Sequence, residues 1–312
     1  MRQVILTIIF VIACGIEQPS AGADYRLFVL AGQSNMEGYG TVAELSPSLR
    51  GPVPRCFIYC GQTRADGDVP DGVGAWTQLT PGFGSGFRTD GRTNYIDNHF
   101  GPELMFAWRM NELRPDEGFA IVKYSRGGSS LDVRGAEPWG TWDPEDDREM
   151  GGLRRMNQYD HALATLRRAL QVTDIDGDGE ADTLVPAGIV WMQGETDATV
   201  REAADAYHKN LAELIALRRE AVGVVDLPVV IGRISDRGVR EGTERVWAFG
   251  DTVRAAQEHV AADDAGVDLV TSTDGYDYSD PFHYDSAGYL DLGRRFAEAM
   301  HEAIEAASNE SD

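Results

Sequence analysis

The sequence predicts an α/β fold in which a mostly parallel sheet is covered by helices on both faces. Apolar runs of strand length alternate with helical segments, which is typical of this class. Several runs are almost continuously apolar, as in strands buried on both faces. No internal repeat or low-complexity linker divides the chain. The candidate strands are 25–31, 55–59, 119–124, 187–192, 229–234 and 267–271.

Helical periodicity fills the segments between these strands. The predicted helices are 102–113, 159–170, 203–221, 246–262 and 286–306. In the third of them, Leu211, Leu214 and Ile215 belong to a stripe with the spacing of a core-facing helix surface. The two long loops, 61–101 and 132–156, are rich in Gly, Asp and Trp, so we expect them to form walls of a binding site.

Length and charge exclude several classes of protein. With 312 residues, 42% of them hydrophobic, the chain is long enough for a large core, which excludes a disordered or fibrous protein. Lysine and arginine total 28 against 51 acidic residues, a net charge of −23. This charge repels a phosphate backbone, so no nucleic-acid partner is expected.

The N-terminal residues resemble a secretory signal peptide. One arginine precedes an apolar run over 4–14, and small residues follow as far as Ala23. The run is too short to span a membrane. We therefore expect a signal peptide over 1–23, a single domain over 24–312, and a secreted or periplasmic protein. As an alternative, Cys14 lies in a stretch that resembles a lipoprotein box and would then carry a lipid anchor.

Two cysteines lie in the second candidate strand. In an extended strand, Cys56 and Cys60 would lie about 13 Å apart, too far for a disulfide. We predict two buried free thiols. A tight turn at this point would instead permit a disulfide in an oxidising compartment.

The first strand ends in a small polar turn that contains Ser34. Open α/β sheets place their ligands at the carboxyl ends of parallel strands. A helix that follows would direct backbone N–H groups toward the serine, as a nucleophile and an oxyanion require. On position alone, Ser34 fits a helix N-cap equally well.

A serine nucleophile needs a base, and the chain has six histidines. Four of them lie in predicted helices and His99 lies in a loop before a helix, whereas His283 lies between the last strand and the last helix. Asp280 precedes it by three residues, so it can orient the imidazole and stabilise its cation. The alternative is an Asp-Pro turn whose histidine caps the next helix.

Polar residues also follow two other candidate strands. Gln193, after the fourth strand, has an amide that can donate to an oxyanion, and Glu195 can assist the histidine or bind substrate. A Gly-rich turn at 126–128 follows the third strand. It lacks the phosphate-binding patterns, so a backbone oxyanion donor is the better interpretation.

An acidic loop at 174–182, after the predicted helix 159–170, resembles the first half of a calcium-binding loop. Position twelve of the pattern, where a bidentate glutamate is expected, is Val185. A structural calcium ion is therefore one interpretation and an acidic solvated loop is the other. The candidate ligands are Asp174, Asp176, Asp178, Glu180 and Asp182.

Six strings occur in one order along the chain: GQSNMEG, FGPEL, KYSRGGSSL, WMQGETDA, LPVVIGRIS and DPFHYDSAGYLDLG. In this order they resemble the carbohydrate acetylesterases of family six. That family is related to the sialate O-acetylesterase-like group of the SGNH (GDSL-like) hydrolase superfamily. The resemblance runs from about Tyr25 to Met300.

The resemblance implies a flavodoxin-like three-layer α/β/α sandwich with a mostly parallel sheet of five or six strands. It implies that Ser34 is the nucleophile, that His283 is the base and that Asp280 orients His283. The oxyanion hole would consist of the Ser34 N–H, a glycine N–H for which we choose Gly128, and the Gln193 side chain.

This chain departs from the superfamily pattern at one position, and the acid partner of the histidine has two candidates. The wider superfamily usually has asparagine where this chain has Gln193. Some members of the group use a glutamate as the acid partner of the histidine, so Glu195 is an alternative to Asp280. No G-x-S-x-G pattern surrounds Ser34, which argues against the usual α/β-hydrolase elbow.

We therefore expect an exported serine esterase that removes O-acetyl groups from carbohydrate through an acyl-enzyme, with no cofactor required for catalysis. The predicted substrate-binding residues are Gln33, Asn35, Arg126 and Trp142. Further candidates for stacking on sugar are Trp76, Phe83, Phe87 and Trp139.

The expected substrate depends on charge. The acidic chain favours neutral acetylated xylan over sialic acid, unless a local arginine pair such as Arg126 and Arg233 reverses the preference. The alternatives are a sialate O-acetylesterase, an inactive carbohydrate-binding protein on the same fold, and a secreted lipase.

Overall fold

The computed structural model describes residues 22–64, 68–135, 139–146, 157–241 and 245–310. Cys14 and almost all of the predicted signal peptide lie outside these residues, as do parts of the two long loops. Among the described residues, no helix is long and apolar enough to cross a membrane.

The main sheet has seven strands: β1 (Asp24–Gly32), β2 (Cys56–Cys60), β3 (Trp76–Gln78), β4 (Gly118–Ser125), β5 (Thr183–Met192), β6 (Val229–Gly232) and β7 (Val267–Val270). Their order in the sheet is β7-β6-β5-β1-β4-β2-β3, and all but β3 run parallel. The predicted α/β class is confirmed, and every predicted strand is present. The addition is β3, a three-residue edge strand antiparallel to β2.

Seven α-helices surround the sheet among the described residues. The five long ones match the predicted helices, with ends that differ by a few residues. The helices are α1 (Ser34–Glu37), α2 (Pro102–Leu113), α3 (Gln158–Ala169), α4 (Arg201–Val222), α5 (Arg237–Glu241), α6 (Gly250–Asp263) and α7 (Ser286–Glu310).

Helices α2 and α7 cover one face of the sheet. Phe28 of the central strand β1 packs edge-on against Phe106 of α2, with ring centroids 5.1 Å apart. Its neighbour Gly188 on β5 faces Met300 of α7, and a Cβ at Gly188 would lie 2.2 Å from the Met300 sulfur. The lack of a side chain at Gly188 therefore leaves room for the Met300 side chain against the sheet.

Helices α3, α4 and α6 cover the other face. Tyr124 of β4 stacks against His161 of α3, with centroids 6.2 Å apart. Arg218 of α4 lies over the ring of Trp142, which also packs edge-on against Trp191 of β5, and α6 packs against α4. The molecule is thus the predicted three-layer α/β/α sandwich.

Cys56 and Cys60 on β2 are both buried and unbonded, which confirms the prediction of free thiols. Burial raises the pKa of Cys60 to about 12. Neither thiol is poised as a nucleophile, because the thiolate is the reactive form.

Among the described residues, two small antiparallel pairs and several 3-10 turns lie outside the main sheet and the α-helices. The strands Arg88–Thr89, Asn94–Tyr95 and His99–Phe100 lie in the segment predicted as the first long loop, 61–101. The pairs join Gly40–Thr41 to His99–Phe100 and Arg88–Thr89 to Asn94–Tyr95, and the 3-10 turns are Val42–Glu44, Pro47–Leu49, Asp197–Thr199 and Ser272–Gly275.

Candidate active site

Ser34 lies just beyond the carboxyl end of β1 and is the first residue of α1. The chain turns at Gly32 with φ of +152°, and a Cβ there would lie 2.0 Å from the Met192 carbonyl oxygen. Glycine is therefore required for the close approach of β1 and β5. The helix after Ser34 is a single turn.

His283 and Asp280 form a close pair in the loop before α7. The Asp280 Oδ2 atom lies 2.7 Å from His283 Nδ1, and Oδ1 accepts the backbone N–H groups of Phe282 and His283 at 2.8 and 2.9 Å. Burial opposes ionisation of Asp280, but these hydrogen bonds, that from His283 foremost, prevail and lower its pKa. An ionised Asp280 is what a base that becomes cationic needs.

Tyr39 packs against one face of the His283 imidazole ring. Its ring is stacked on His283, with centroids 3.7 Å apart and planes 5° apart. Tyr39 is thus placed to fix the orientation of the imidazole ring, a contribution that the sequence did not indicate.

Ser34 and His283 line one pocket of about 560 Å³ at the carboxyl edge of the sheet. The two side chains that we predicted as nucleophile and base therefore line the same pocket, although they lie near opposite ends of the chain. The other side chains and glycines that line it are Gln33, Glu37, Tyr39, Thr63, Arg126, Gly127, Gly128, Gly135, Trp139, Thr196, Thr199, Trp247 and Phe282.

The Gly-rich turn after β4 lies beside the serine. A Cβ added to Gly127 would be 3.4 Å from Ser34 Cβ, and the Gly127 N–H donates to Glu37 Oε2 at 3.1 Å. Burial raises the pKa of Glu37. Gly128 has φ of +74° and lies against the ring of Trp139, which a Cβ would approach to 2.4 Å. Position 128 is therefore restricted to glycine, and Gly128 as an oxyanion donor stays a prediction.

Gln193 lies beneath the pocket rather than in its wall. The residue is fully buried, and its Nε2 donates to Asp197 Oδ2 at 2.6 Å and to the Ser129 carbonyl at 3.2 Å. Its amide would have to exchange these hydrogen bonds to donate to an oxyanion. Burial raises the pKa of Asp197 to about 7, against the lowering effect of the bond from Gln193.

Glu195 is linked to Asn35 and not to the histidine. Asn35 Nδ2 donates to Glu195 Oε1 at 2.7 Å and to the Phe282 carbonyl at 3.3 Å, while its Oδ1 accepts from the Tyr289 hydroxyl at 2.8 Å. Both Asn35 and Glu195 are 1% exposed, and burial raises the pKa of Glu195 to about 6. Asn35 therefore joins the serine turn to the histidine loop. It is not placed to contact substrate, which corrects the prediction that it binds substrate.

The remaining predicted substrate-binding residues divide between pocket and core. Gln33 and Arg126 line the pocket. Trp142 does not: it is 1% exposed and its Nε1 donates to Ser129 Oγ, so its predicted sugar contact is corrected to a core role. Arg233 pairs with Glu258 and Asp274 and does not line the pocket, so the suggested arginine pair is not formed there.

Most of the aromatic side chains predicted to stack on sugar lie elsewhere. Phe83 is 2% exposed, Phe87 packs against it, and Trp76 lies on the edge strand β3. Only Trp139 of that set lines the pocket, where Arg126 lies over its ring at 5.1 Å.

A buried ion pair supports the floor of the site. Lys123 Nζ donates to Glu103 Oε2 at 2.7 Å and to the carbonyls of Glu37 and Phe83, both at 2.9 Å. Both partners are 1% exposed. The pair and its hydrogen bonds tie β4, α2 and the end of α1 together, because each buried charge needs its partners.

The acidic loop lies at the opposite edge of the sheet, where it enters β5 beside the start of β1. Asp174, Asp176 and Asp182 each place one carboxylate oxygen within 4.8 Å of the others. These oxygens are of the type that calcium prefers. Asp178 and Glu180 lie outside this group.

Calcium binding to this loop stays a prediction, with a structural role. Millimolar calcium is expected to raise the melting temperature by about 2–5 °C, because a ligand that binds only the folded state stabilises it. The chelator EDTA should reverse the shift, and Asp174→Asn combined with Asp176→Asn should abolish it. A melting temperature unmoved by calcium in the original protein would contradict the prediction.

A sequence model of the family described as carbohydrate esterase, sialic acid-specific acetylesterase, matches residues 24–302. Among curated proteins no sequence matches the chain.

Solved structures share the fold at low identity. A protein from Arabidopsis thaliana has a TM-score of 0.59 and 19% identity, over 89% of this chain and 98% of that one. A carbohydrate acetylesterase from Xanthomonas citri has a TM-score of 0.59 and 18% identity, over 90% of this chain and 57% of that one. NanS has a TM-score of 0.54 and 18% identity, over 93% of this chain and 99% of that one.

Proposed function

The chain belongs to the carbohydrate esterase family of sialic acid-specific acetylesterases, and from that premise we propose that it is an exported enzyme that removes acetyl groups from a neutral polysaccharide such as acetylated xylan. Members of this family are serine hydrolases that act on acetylated carbohydrate. The observation that carries the assignment to this site is the pocket that Ser34 shares with the His283–Asp280 pair.

The proposed reaction is an acyl transfer in two halves. Ser34 Oγ attacks the acetyl carbonyl carbon while His283 Nε2 takes the serine proton. The tetrahedral intermediate collapses, the sugar oxygen leaves with the proton from His283, and the acetyl group remains on Ser34. Water then attacks, with His283 as base, and acetate is released. Backbone N–H groups of Ser34 and Gly128 are the proposed donors to the oxyanion.

The proposal of a neutral substrate rests on the charges of the pocket. Arg126 is accompanied there by the carboxyl group of Glu37, and Arg233 is paired with acids elsewhere. The whole chain carries a net charge of −23, which disfavours the approach of an anion.

O-acetylated sialic acid is the second candidate substrate. Arg126 favours it, because a guanidinium over the Trp139 ring is also placed to receive a carboxylate.

The experiment compares acetate release from acetylated xylan and from O-acetylated sialic acid. We expect kcat/KM to be higher for xylan by about tenfold or more, the ratio that ~1.4 kcal/mol produces. Arg126→Gln should leave xylan turnover nearly unchanged. A preference for the sialate, lost by about 10- to 100-fold in Arg126→Gln as expected for a charge-assisted hydrogen bond, would contradict the neutral assignment.

A further inference from the structure

Two aromatic rings form one side of the pocket next to the histidine. Phe282 directly precedes His283 and is 45% exposed. Trp247, from the loop before α6, lies beside it with ring centroids 5.7 Å apart and planes inclined by 37°. Both line the pocket that holds Ser34. We call this pair the aromatic shelf.

The backbone holds the shelf in place on both sides. The Phe282 N–H donates to Asp280 Oδ1 at 2.8 Å, and its carbonyl accepts from Asn35 Nδ2 at 3.3 Å. The Trp247 N–H donates to Asp236 Oδ2 at 3.3 Å. The shelf is thus fixed relative to the serine turn, through Asn35, and relative to the base, through Asp280.

Exposure of such rings within a pocket indicates a ligand. A large apolar side chain is usually buried, and exposed apolar surface within a concave site is a feature of binding sites. Of the large hydrophobic side chains that the structure describes as exposed, Phe282 and Trp139 line this one pocket. They lie on different loops, one on the histidine loop and one beside the Gly128 turn.

The volume of the pocket exceeds what the reacting group needs. About 560 Å³ is in the range of pockets that hold drug-sized ligands, whereas an acetyl ester consists of a few atoms. A sugar ring has C–H groups on its faces, and aromatic rings provide the broad, rigid, apolar surface that such a face covers.

We propose that the aromatic shelf of Trp247 and Phe282 is a subsite for the sugar unit next to the acetylated one. The enzyme thereby selects acetylated chains over single acetylated sugars. This inference rests on the proposed function, since it takes a neutral glycan chain as the substrate. Ser34 acts on the ester of one unit while the shelf holds its neighbour.

The test measures sugar binding and catalysis separately. Binding of xylohexaose, which has no acetyl group, is followed by calorimetry for the full chain and for Trp247→Ala, Phe282→Leu and the double variant. We expect its Kd to rise by about tenfold in the double variant, the combined effect of two aromatic contacts. Turnover of 4-nitrophenyl acetate should change by less than about twofold, because this ester needs no sugar subsite.

Tyr95→Ala is the matched control, because Tyr95 is 50% exposed and lies outside the pocket. Its binding of xylohexaose should equal that of the original protein. Circular dichroism and melting temperature establish that each variant is folded, and Phe282→Leu keeps an apolar side chain of similar size beside His283.

Three results would overturn the inference. The first is no binding of xylohexaose by the original protein, and the second is unchanged binding in the double variant. The third is a loss of 4-nitrophenyl acetate turnover as large as the loss of xylohexaose binding, which would mean that the rings act through His283. Acetate release from acetylated xylan by the original protein, assayed in parallel, tests the proposed function by itself. Release with unchanged variant binding overturns the shelf alone, and weakened variant binding without release overturns the substrate assignment alone.

Discussion

Replacement of Ser34 by alanine is expected to lower kcat for acetate release by about 10⁴- to 10⁶-fold. The reason is that no acetyl-enzyme can form without the hydroxyl group, so that the second half of the reaction has no intermediate to act upon. Any residual turnover would come from binding and from the oxyanion donors, which the substitution leaves in place.

Acetate release by the purified variant, assayed beside Ser48→Ala, is the measurement. Ser48 is exposed and lies in a separate 3-10 turn, so its variant controls for the loss of a serine hydroxyl. Undiminished turnover in Ser34→Ala with intact folding would place the nucleophile elsewhere.

Asp280→Asn is expected to lower kcat by about 10³- to 10⁴-fold. An amide carries no charge to stabilise imidazolium, and it can hold the wrong tautomer of His283 through the bond that now joins Nδ1 to Oδ2. Glu195→Gln is expected to lower kcat by less than about tenfold, because Glu195 contacts Asn35 and glutamine keeps an oxygen that can accept that hydrogen bond.

The two variants together decide which acid supports the histidine. Both are measured with the same acetyl ester across a range of pH, since loss of the partner carboxylate should also displace the pH profile of kcat/KM. A loss in Glu195→Gln that equals or exceeds the loss in Asp280→Asn would contradict the assignment of Asp280.

The sheet could be predicted from the sequence because parallel strands that are buried on both faces consist of nearly continuous runs of apolar residues. The edge strand β3 could not, since Trp76 and Thr77 are only half-buried and Gln78 is exposed. Three such residues show neither a continuous apolar run nor a clear alternation.

That Ser34 and His283 line one pocket was predictable for a topological reason: polar residues that follow parallel strands collect at one edge of the sheet. The sequence did not predict which neighbours of Ser34 face the pocket. In a helical turn successive side chains point about 100° apart, so Ser34 faces the pocket while Asn35 is turned into the interior.

The aromatic residues of the pocket were the hardest to predict. Trp142 and Trp139 lie in the same loop region, and only packing against Trp191 and Arg218 decides that the first is interior. Trp247 falls within the helix predicted over 246–262, whereas the observed helix α6 begins only at Gly250. Tyr39 lies in an irregular segment without periodicity. One signal was present in the sequence: Phe282 adjoins the predicted base.

The chain has two lysines, Lys123 and Lys209, and their environments differ completely. Lys123 is enclosed in its ion pair with Glu103, whereas the Lys209 side chain on α4 is 76% exposed. Of the two side-chain amines, reagents that couple to amines will therefore attach to Lys209. Because Lys209 does not line the catalytic pocket, a label or support joined to this side chain leaves the catalytic groups chemically untouched.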